Sequence, residues 1–363
     1  MARLIFCVTN NLIYDQRMAR TCSALTEAGH QVLLVGRNYP SWPLPKERVY
    51  RQHRLRLLFS KGILFYAEYQ VRLLVFLLFK KADVVVSIDL DTIIPVYYAA
   101  RFKGWKMAFD AHEYFTGQQE ITSRPGVFRV WKWIEKKFLP KFRSGYTVSE
   151  GISALFKQEY GLGYPVIRNV PHFKAYKPHA FKSNPVVIYR GAVNEARGLK
   201  ALAEAMKTIP ATLLVYGDGN YMAEFQKIIA ENNLAGKVVI KGAVLPEELD
   251  EATEVADIGL NLVENSGENQ YYSLANKFFD MMMHGLPQVT MDYPEYRAVN
   301  NRYEVAVLIR DCNPESIASG IRRLMTDKEL YDRLAQNCAS AAKVYNWEAE
   351  KMKLISFYGQ FIE

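Results

Sequence analysis

The residues with the most chemical potential lie in the stretch NQYYSLANKFFDMMMHGLP, positions 269–287. Ser273, Asn276, Lys277 and Asp280 recur at helical spacing and so share one stripe. A helix start offers unsatisfied backbone N–H groups and positive dipole character, and Lys277 adds an ammonium. Together these suit a diphosphate. Asp280, further along the stripe, suits the hydroxyls of a sugar. A capped helix with a solvated face explains the same pattern. A second group, Asp110, His112 and Glu113, closes the apolar run KMAFDA. It places a titratable cluster at a strand end, though a structural histidine also fits. The pair Asp89 and Asp91 has the look of a metal-binding DxD. A metal site needs a full ligand set, and Asp91 reads as the N-cap of a helix at Thr92.

Elements must hold these residues in place. Ser273 reads as an N-cap and predicts a helix from Leu274 to about His284. Gly285 suits the C′ position, and Pro287 bars continuation. Leu274, Phe278, Met281 and Met282 supply a buried stripe. Upstream, RLIFCVT, HQVLLVG, ADVVVSID and KMAFDAHE are short apolar runs separated by helical periods. In the second half PVVIYRG, ATLLVYGDG, KVVIKGAV, DIGLNLV and PQVTM repeat the pattern. Such alternation implies parallel sheets with helical crossovers. The predicted fold class is α/β, with two Rossmann-like, doubly wound domains and ligands at the carboxyl ends of the strands. The proline- and lysine-rich stretch 171–185 has neither period. It is the expected linker between a first domain, 1–170, and a second, 186–344, with a last helix over 345–363.

A chain of 363 residues, half of them hydrophobic, has room for two ordinary domains with full cores. Its four cysteines, Cys7, Cys22, Cys312 and Cys338, form no CxxC pair. That argues against a zinc site or a disulfide framework and suits a reducing, cytoplasmic location. The opening MARLIFCVTNN reads as a first strand rather than a targeting segment. Neither TNNLIYD nor YGDGN has the glycine spacing of a dinucleotide fingerprint. Residues 1–170 hold 25 Lys and Arg against 13 Asp and Glu, so this half is expected to meet an anionic partner. No nucleic-acid module is recognisable, so nucleic acid is not expected. Residues 54–81 are basic and rich in aromatics. Their longest apolar run, Leu73 to Phe79, is far short of the roughly 20 residues that span a bilayer. Peripheral contact with an anionic membrane surface and burial in the core both fit this stretch.

Asp280, followed four residues later by His284, Gly285, Leu286 and Pro287, resembles the C-terminal signature of the group 1 (family 4) retaining glycosyltransferases. Their GT-B architecture has two facing Rossmann-like domains and an interdomain cleft. In that family an E-x7-E pair frames the helix. Asp280 matches the later carboxylate, which binds the ribose of the nucleotide sugar, whereas Tyr272 stands where the earlier one would be. The Asn276–Lys277 pair resembles an Asn-Lys variant of the signature. YDQRMARTCSALTEAGHQVLLVG, AFDAHEYF, GYTVSEGIS, VIRNVP, YRGAVNEARGLKALAEAM, VYGDG, IKGAVLPEEL and YNWEAEKMKLISFYGQF resemble further family segments, in the family's order.

The resemblance implies a transferase that moves a sugar from a nucleotide-sugar donor to a glycan or lipid-linked acceptor, with retention and with neither metal nor cofactor. It assigns catalysis to His112, Arg197 and Lys277. Donor binding falls to Gly191, Gly217, Gly242, Ala243, Tyr272, Ser273, Leu274, Asn276 and Asp280. Asp15, Arg17 and Glu113 fall on the acceptor side or the cleft. Ala192 occupies a place where the family often has a second basic residue. The last helix would cross back to the first domain. Departure of a nucleoside diphosphate builds negative charge, which preorganised cations stabilise. A nucleotide-sugar epimerase and a non-catalytic nucleotide-sugar or nucleic-acid binder remain the alternatives. A thermal-shift panel of UDP-, GDP-, ADP- and dTDP-sugars separates these readings. One nucleotide class is expected to raise the melting temperature, a ligand at 100 times its Kd adding about 2.7 kcal/mol. No shift with any of the four would exclude the donor site.

Overall fold

The first strand, β1 (Arg3–Cys7), is buried from its second residue on, and β4 (Val84–Ile88) is buried throughout. Strands this apolar need cover on both faces, which a parallel sheet flanked by helices provides. The computed structural model describes residues 1–362 except Tyr14, residues 39–43, Pro45, Lys177, Pro178 and Ser183. Part of the predicted linker (Lys177, Pro178, Ser183) and Tyr14 of the first loop therefore lie outside the described residues. The chain divides into unit 1, Met1–Asn169 with Glu350–Glu363, and unit 2, Val170–Ala349.

Unit 1 continues with α1 (Gln16–Glu27), β2 (Gln31–Arg37), β3 (Arg51–Leu55), α2 (Gly62–Leu78), β4, α3 (Ile93–Lys103), β5 (Lys106–Ala111), α4 (Gln119–Thr122), α5 (Pro125–Phe138), β6 (Gly145–Thr147) and α6 (Glu150–Tyr160). Its strands lie in the order β3-β2-β1-β4-β5-β6, every pair parallel. Unit 2 runs β7 (Val186–Arg190), α7 (Leu199–Met206), β8 (Thr212–Tyr216), α8 (Met222–Glu231), β9 (Val238–Gly242), α9 (Pro246–Val255), β10 (Ile258–Asn261), α10 (Glu268–Tyr271), α11 (Asn276–Met283), β11 (Gln288–Met291), α12 (Pro294–Tyr303), β12 (Ala306–Ile309), α13 (Pro314–Thr326) and α14 (Lys328–Ala342). Its order, β12-β11-β10-β7-β8-β9, repeats that of unit 1 strand for strand. In each sheet the winding reverses beside the first strand, at β1/β4 and at β7/β10, where a crevice opens at the carboxyl ends.

The last helix, α15 (Trp347–Ile362), belongs from Glu350 onward to unit 1. Tyr358 is fully buried, its ring 5.9 Å from Phe6 and 6.2 Å from Tyr146, and Lys106 Nζ donates to the carbonyls of Phe361 and Ile362. The 54–81 stretch divides between the end of β3 and α2. Phe65, Tyr69, Leu73 and Leu77 point inward, while Val71, Val75 and Phe79 are exposed. No helix among the described residues is long and apolar enough to cross a membrane.

Helix α11 ends in two bonds that pin its last turn: Gly285 N–H donates to Met282 O and Leu286 N–H to Met281 O, each at 3.0 Å. Gly285 sits at φ +71°, left-handed, as this motif requires. A Cβ there would lie 1.7 Å from the Tyr176 ring. Gly285→Ala is therefore expected to cost about 3 kcal/mol, from the left-handed backbone and overpacking together. Gly126→Ala in α5, where a Cβ meets nothing within 4 Å, is the control and costs nothing. Denaturant unfolding of the two variants reads the difference.

Candidate active site

Three glycines end three neighbouring strands of unit 2. Gly191 follows β7, Gly217 follows β8, and Gly242 closes β9. Gly191 N–H donates to Tyr216 O at 2.9 Å, and Gly217 N–H to Gly242 O at 2.8 Å, so the strand ends are laced together. A Cβ on Gly217 would stand 1.8 Å from Gly191 O. Only glycine permits this approach, and it leaves a bare backbone ledge above the sheet. Ala243, next to the ledge, is exposed.

Lys277 lies over that ledge. Its Cδ is 3.8 Å from the position a Gly191 side chain would take. Its Nζ is 4.6 Å from the centre of the Tyr189 ring and 3.5 Å from Leu262 O, beyond the end of β10. The ammonium thus spans the β7/β10 reversal. Burial, Arg197 and Arg190 lower its pKa to about 7. Arg197 stands on a turn whose neighbours, Ala196 (φ 58°) and Gly198 (φ 67°), are both left-handed. Glu264 pins this turn: its carboxylate accepts Gly198 N–H at 3.2 Å, and its own N–H donates to Ala196 O at 3.0 Å. Arg190, the last residue of β7, is buried; it pairs with Asp280 at 3.1 Å and donates to Thr253 Oγ1 at 2.8 Å.

The helix carrying Lys277 begins later than predicted. Ser273 is not its N-cap: its hydroxyl donates to Gln270 O at 3.0 Å, closing the end of α10. The chain stays extended to Ala275, the actual N-cap, whose N–H donates to the Tyr296 hydroxyl at 3.1 Å. Leu274, expected as the first helical residue, is instead a buried pin between the two helices. Helix α11 therefore opens on Asn276, which is exposed, with Lys277 second and Asp280 one turn on. Tyr272 packs its ring against Tyr271, centroids 5.0 Å apart. Arg190 and Glu264 belong to this site without being singled out by any motif of the sequence. Arg190 ends an apolar strand just before Gly191, which was its one available signal.

In unit 1 the β4 and β5 ends carry a different chemistry. Asp110 is fully buried between Arg17 (2.8 Å) and His112 Nε2 (3.1 Å). Burial opposes its charge, yet Arg17 and His112 lower its pKa to about 2. His112 is raised, because Asp110 outweighs the burial that works against an imidazolium. Arg17, expected at the acceptor side, is buried; besides Asp110 it donates to Ile167 O at 3.2 Å, so it braces the fold there. Asp15 is the N-cap of α1, accepting Met18 N–H at 2.8 Å and Asn10 Nδ2 at 2.6 Å. Glu113 is exposed and accepts from Gln118 Nε2.

Asp91 does not cap the following helix either. Its carboxylate takes the Thr9 hydroxyl across the β1/β4 reversal, and it lies inside a single 3-10 turn, Leu90–Thr92. Asp89, at φ 52°, turns its carboxylate to accept His112 N–H at 2.9 Å. Among the described residues no group of three or more His, Cys, Asp or Glu could hold a metal ion.

Residues 173–340 match the family model described as Glycosyl transferases group 1, and residues 16–172 match that of Glycosyltransferase Family 4. No curated protein matches the sequence. Among solved structures, sucrose-phosphate synthase from Thermosynechococcus elongatus aligns over 99% of both chains at 16% identity, with a TM-score of 0.82. Anabaena HepE in complex with UDP and glucose aligns over 99% of this chain and 100% of its own, at 12% identity and 0.77. WaaG, a glycosyltransferase involved in lipopolysaccharide biosynthesis, aligns over 97% and 98% at 15% identity and 0.73. At these identities the likeness speaks for the fold.

With its pKa near 7, Lys277 is an ammonium below neutrality and an amine above it. A bound diphosphate restores the proton, so binding above pH 7 takes up a proton and weakens as pH rises. Calorimetry of nucleoside diphosphate binding at pH 8, in two buffers of different ionisation enthalpy, is expected to register that uptake. Lys277→Met is expected to abolish it. Equal heats in both buffers for the unsubstituted protein would contradict the assignment.

Proposed function

From the glycosyltransferase family models matched over residues 16–172 and 173–340, we propose that the chain transfers a sugar from a nucleotide-sugar donor to a glycan or lipid-linked acceptor. Transfer proceeds with retention and without a metal ion, in cell-surface polysaccharide or glycoconjugate synthesis on the cytoplasmic side. The observation that carries this reading is the meeting of Lys277, Arg197 and the Gly191–Gly217 ledge at the β7/β10 reversal. A leaving diphosphate needs an approachable backbone and positive potential already in place, and this site has both. In the proposal Lys277 and Arg197 bear the charge that develops on the leaving oxygen, and Gly242 and Ala243 meet the base. Asp280 accepts hydroxyl groups of the donor with one side while Arg190 holds the other. His112, raised by Asp110, serves as a hydrogen-bond donor to substrate. The complex of HepE with UDP-glucose makes a uridine nucleotide the first donor to test. The role of WaaG in lipopolysaccharide synthesis makes a lipid-carried glycan the first acceptor.

The test is turnover by the purified chain with nucleotide sugars and glycan or lipid-linked acceptors, with and without EDTA, the product's anomeric configuration read by NMR. A retained linkage formed equally in EDTA is expected. Lys277→Met is expected to lower kcat by about 10²–10³-fold, the loss typical of one preorganised donor to a developing anion. Asp280→Ala is expected to weaken donor binding, and His112→Ala to lower kcat chiefly. Conversion of the donor to an epimer without acceptor would favour an isomerase. Absence of both product and slow donor hydrolysis across the panel would end the proposal.

A further inference from the structure

Helix α3 packs between α2 and α5 in unit 1. The three helices turn apolar residues inward in the ordinary way, among them Leu73, Leu77, Val96, Ala99, Ile134 and Phe138. They also turn apolar residues outward. On α2 and at its C-cap, Val71, Val75 and Phe79 repeat every four residues and are exposed. On α3, Tyr98 and Phe102 are one turn apart and exposed, and on α5 Trp133 is exposed. Phe79 and Phe102 are 85% and 78% exposed, an unusual cost in ordered water for large rings in a monomer.

Direct contacts join the three helices that carry these residues. Lys103 Nζ donates to Leu78 O at 3.2 Å, which ties the end of α3 to the end of α2. The Tyr98 ring is 6.0 Å from Phe138, and Phe138 is 6.4 Å from Trp133. Cations are interleaved with the rings. Lys80 Nζ stands 4.5 Å over Phe76, Lys137 Nζ 4.6 Å over Trp133, and Lys81, Arg101, Lys103 and Lys136 are exposed around them. Acidic counterparts are scarce. The one acid on α2, Glu68, pairs with Arg72 at 2.7 Å; α3 has no acid; the one acid on α5, Glu135, is buried.

We infer that the outer face of α2, α3 and α5 docks on an anionic lipid surface. The charge decides the occupant: an exposed apolar face ringed by lysines and almost without carboxylates complements acidic headgroups. Lysines reach up to the phosphates while Phe79, Phe102 and Trp133 enter the acyl boundary. The surface extends beyond the 54–81 stretch, since Tyr98, Phe102 and Trp133 come from α3 and α5. It is independent of glycosyl transfer, because its readout is binding alone.

The experiment is flotation of the full chain with phosphatidylcholine vesicles and with mixed phosphatidylcholine–phosphatidylglycerol vesicles, at low and high salt. The chain is expected to float with the mixed vesicles only, and less so at high salt. The combined variant Phe79→Ser, Phe102→Ser and Trp133→Ser is expected to reduce partitioning at least about tenfold. Lys136→Glu with Lys137→Glu is expected to do the same and to relax the salt dependence. All five side chains are exposed, so unchanged thermal melting shows that the variants fold. Failure to float with anionic vesicles would overturn the inference, as would flotation untouched by both variants. Self-association that the serine variant abolishes, with no vesicle binding, would assign the face to a second copy instead.

Discussion

Unit 2 holds three cations, Arg190, Arg197 and Lys277, near one another at the reversal point of its sheet, against their mutual repulsion. Each is restrained in a different way. Arg190 is neutralised by Asp280, Arg197 is fixed by a turn that Glu264 ties down, and Lys277 loses affinity for its proton. Charge held in place in this manner is costly until an anion arrives. A transferring site gains from that cost, because reorganisation has been completed before the reaction begins. The laced glycine ends of β7, β8 and β9 leave room for that anion, and the Gly285 turn closes the far end of the helix that carries the lysine.

The two units share a strand order and differ in what stands at the strand ends. In unit 1 the same position carries Asp89, Asp91 and Asp110, balanced by Arg17 and His112. There the buried pair of Arg17 and Asp110 fixes one edge of His112, and the Asp89 carboxylate fixes the backbone of the same residue. Topology supplies the crevice in both units, and side chains decide its sign. A cationic crevice suits a leaving diphosphate. A histidine braced from two sides suits a neutral, hydroxyl-bearing partner.

Much of this was readable in advance for a plain reason. Strands buried on both faces, such as VVVSI of β4, must be apolar throughout and stand out from the amphipathic helices between them. Gly285 and Pro287 announced the end of α11 through backbone chemistry that needs no tertiary context. The polar edge strand β3, RQHRL, carried no such signal, because an edge strand is covered on one side only. Ser273 and Asp91 both look like caps, and each is claimed by a closer partner: Gln270 O in one case, the Thr9 hydroxyl in the other. Capping preference is worth about 1 kcal/mol, so one competing hydrogen bond is enough to displace it.

By itself the sequence determined the parallel, doubly wound architecture, the glycine-bearing strand ends and the presence of Lys277 and Asp280 on one short helix. These follow from local periodicity and from backbone conformations that only certain residues adopt. The tertiary structure alone decided that Arg190 would claim Asp280, that Arg17 would be buried against Asp110, and that Lys277 would be buried, and close enough to Arg197, to have its pKa lowered to about 7. Those outcomes depend on which side chains, distant in sequence, are brought within a few ångströms. Electrostatic energy and desolvation change steeply over that distance, and no spacing along the chain encodes it.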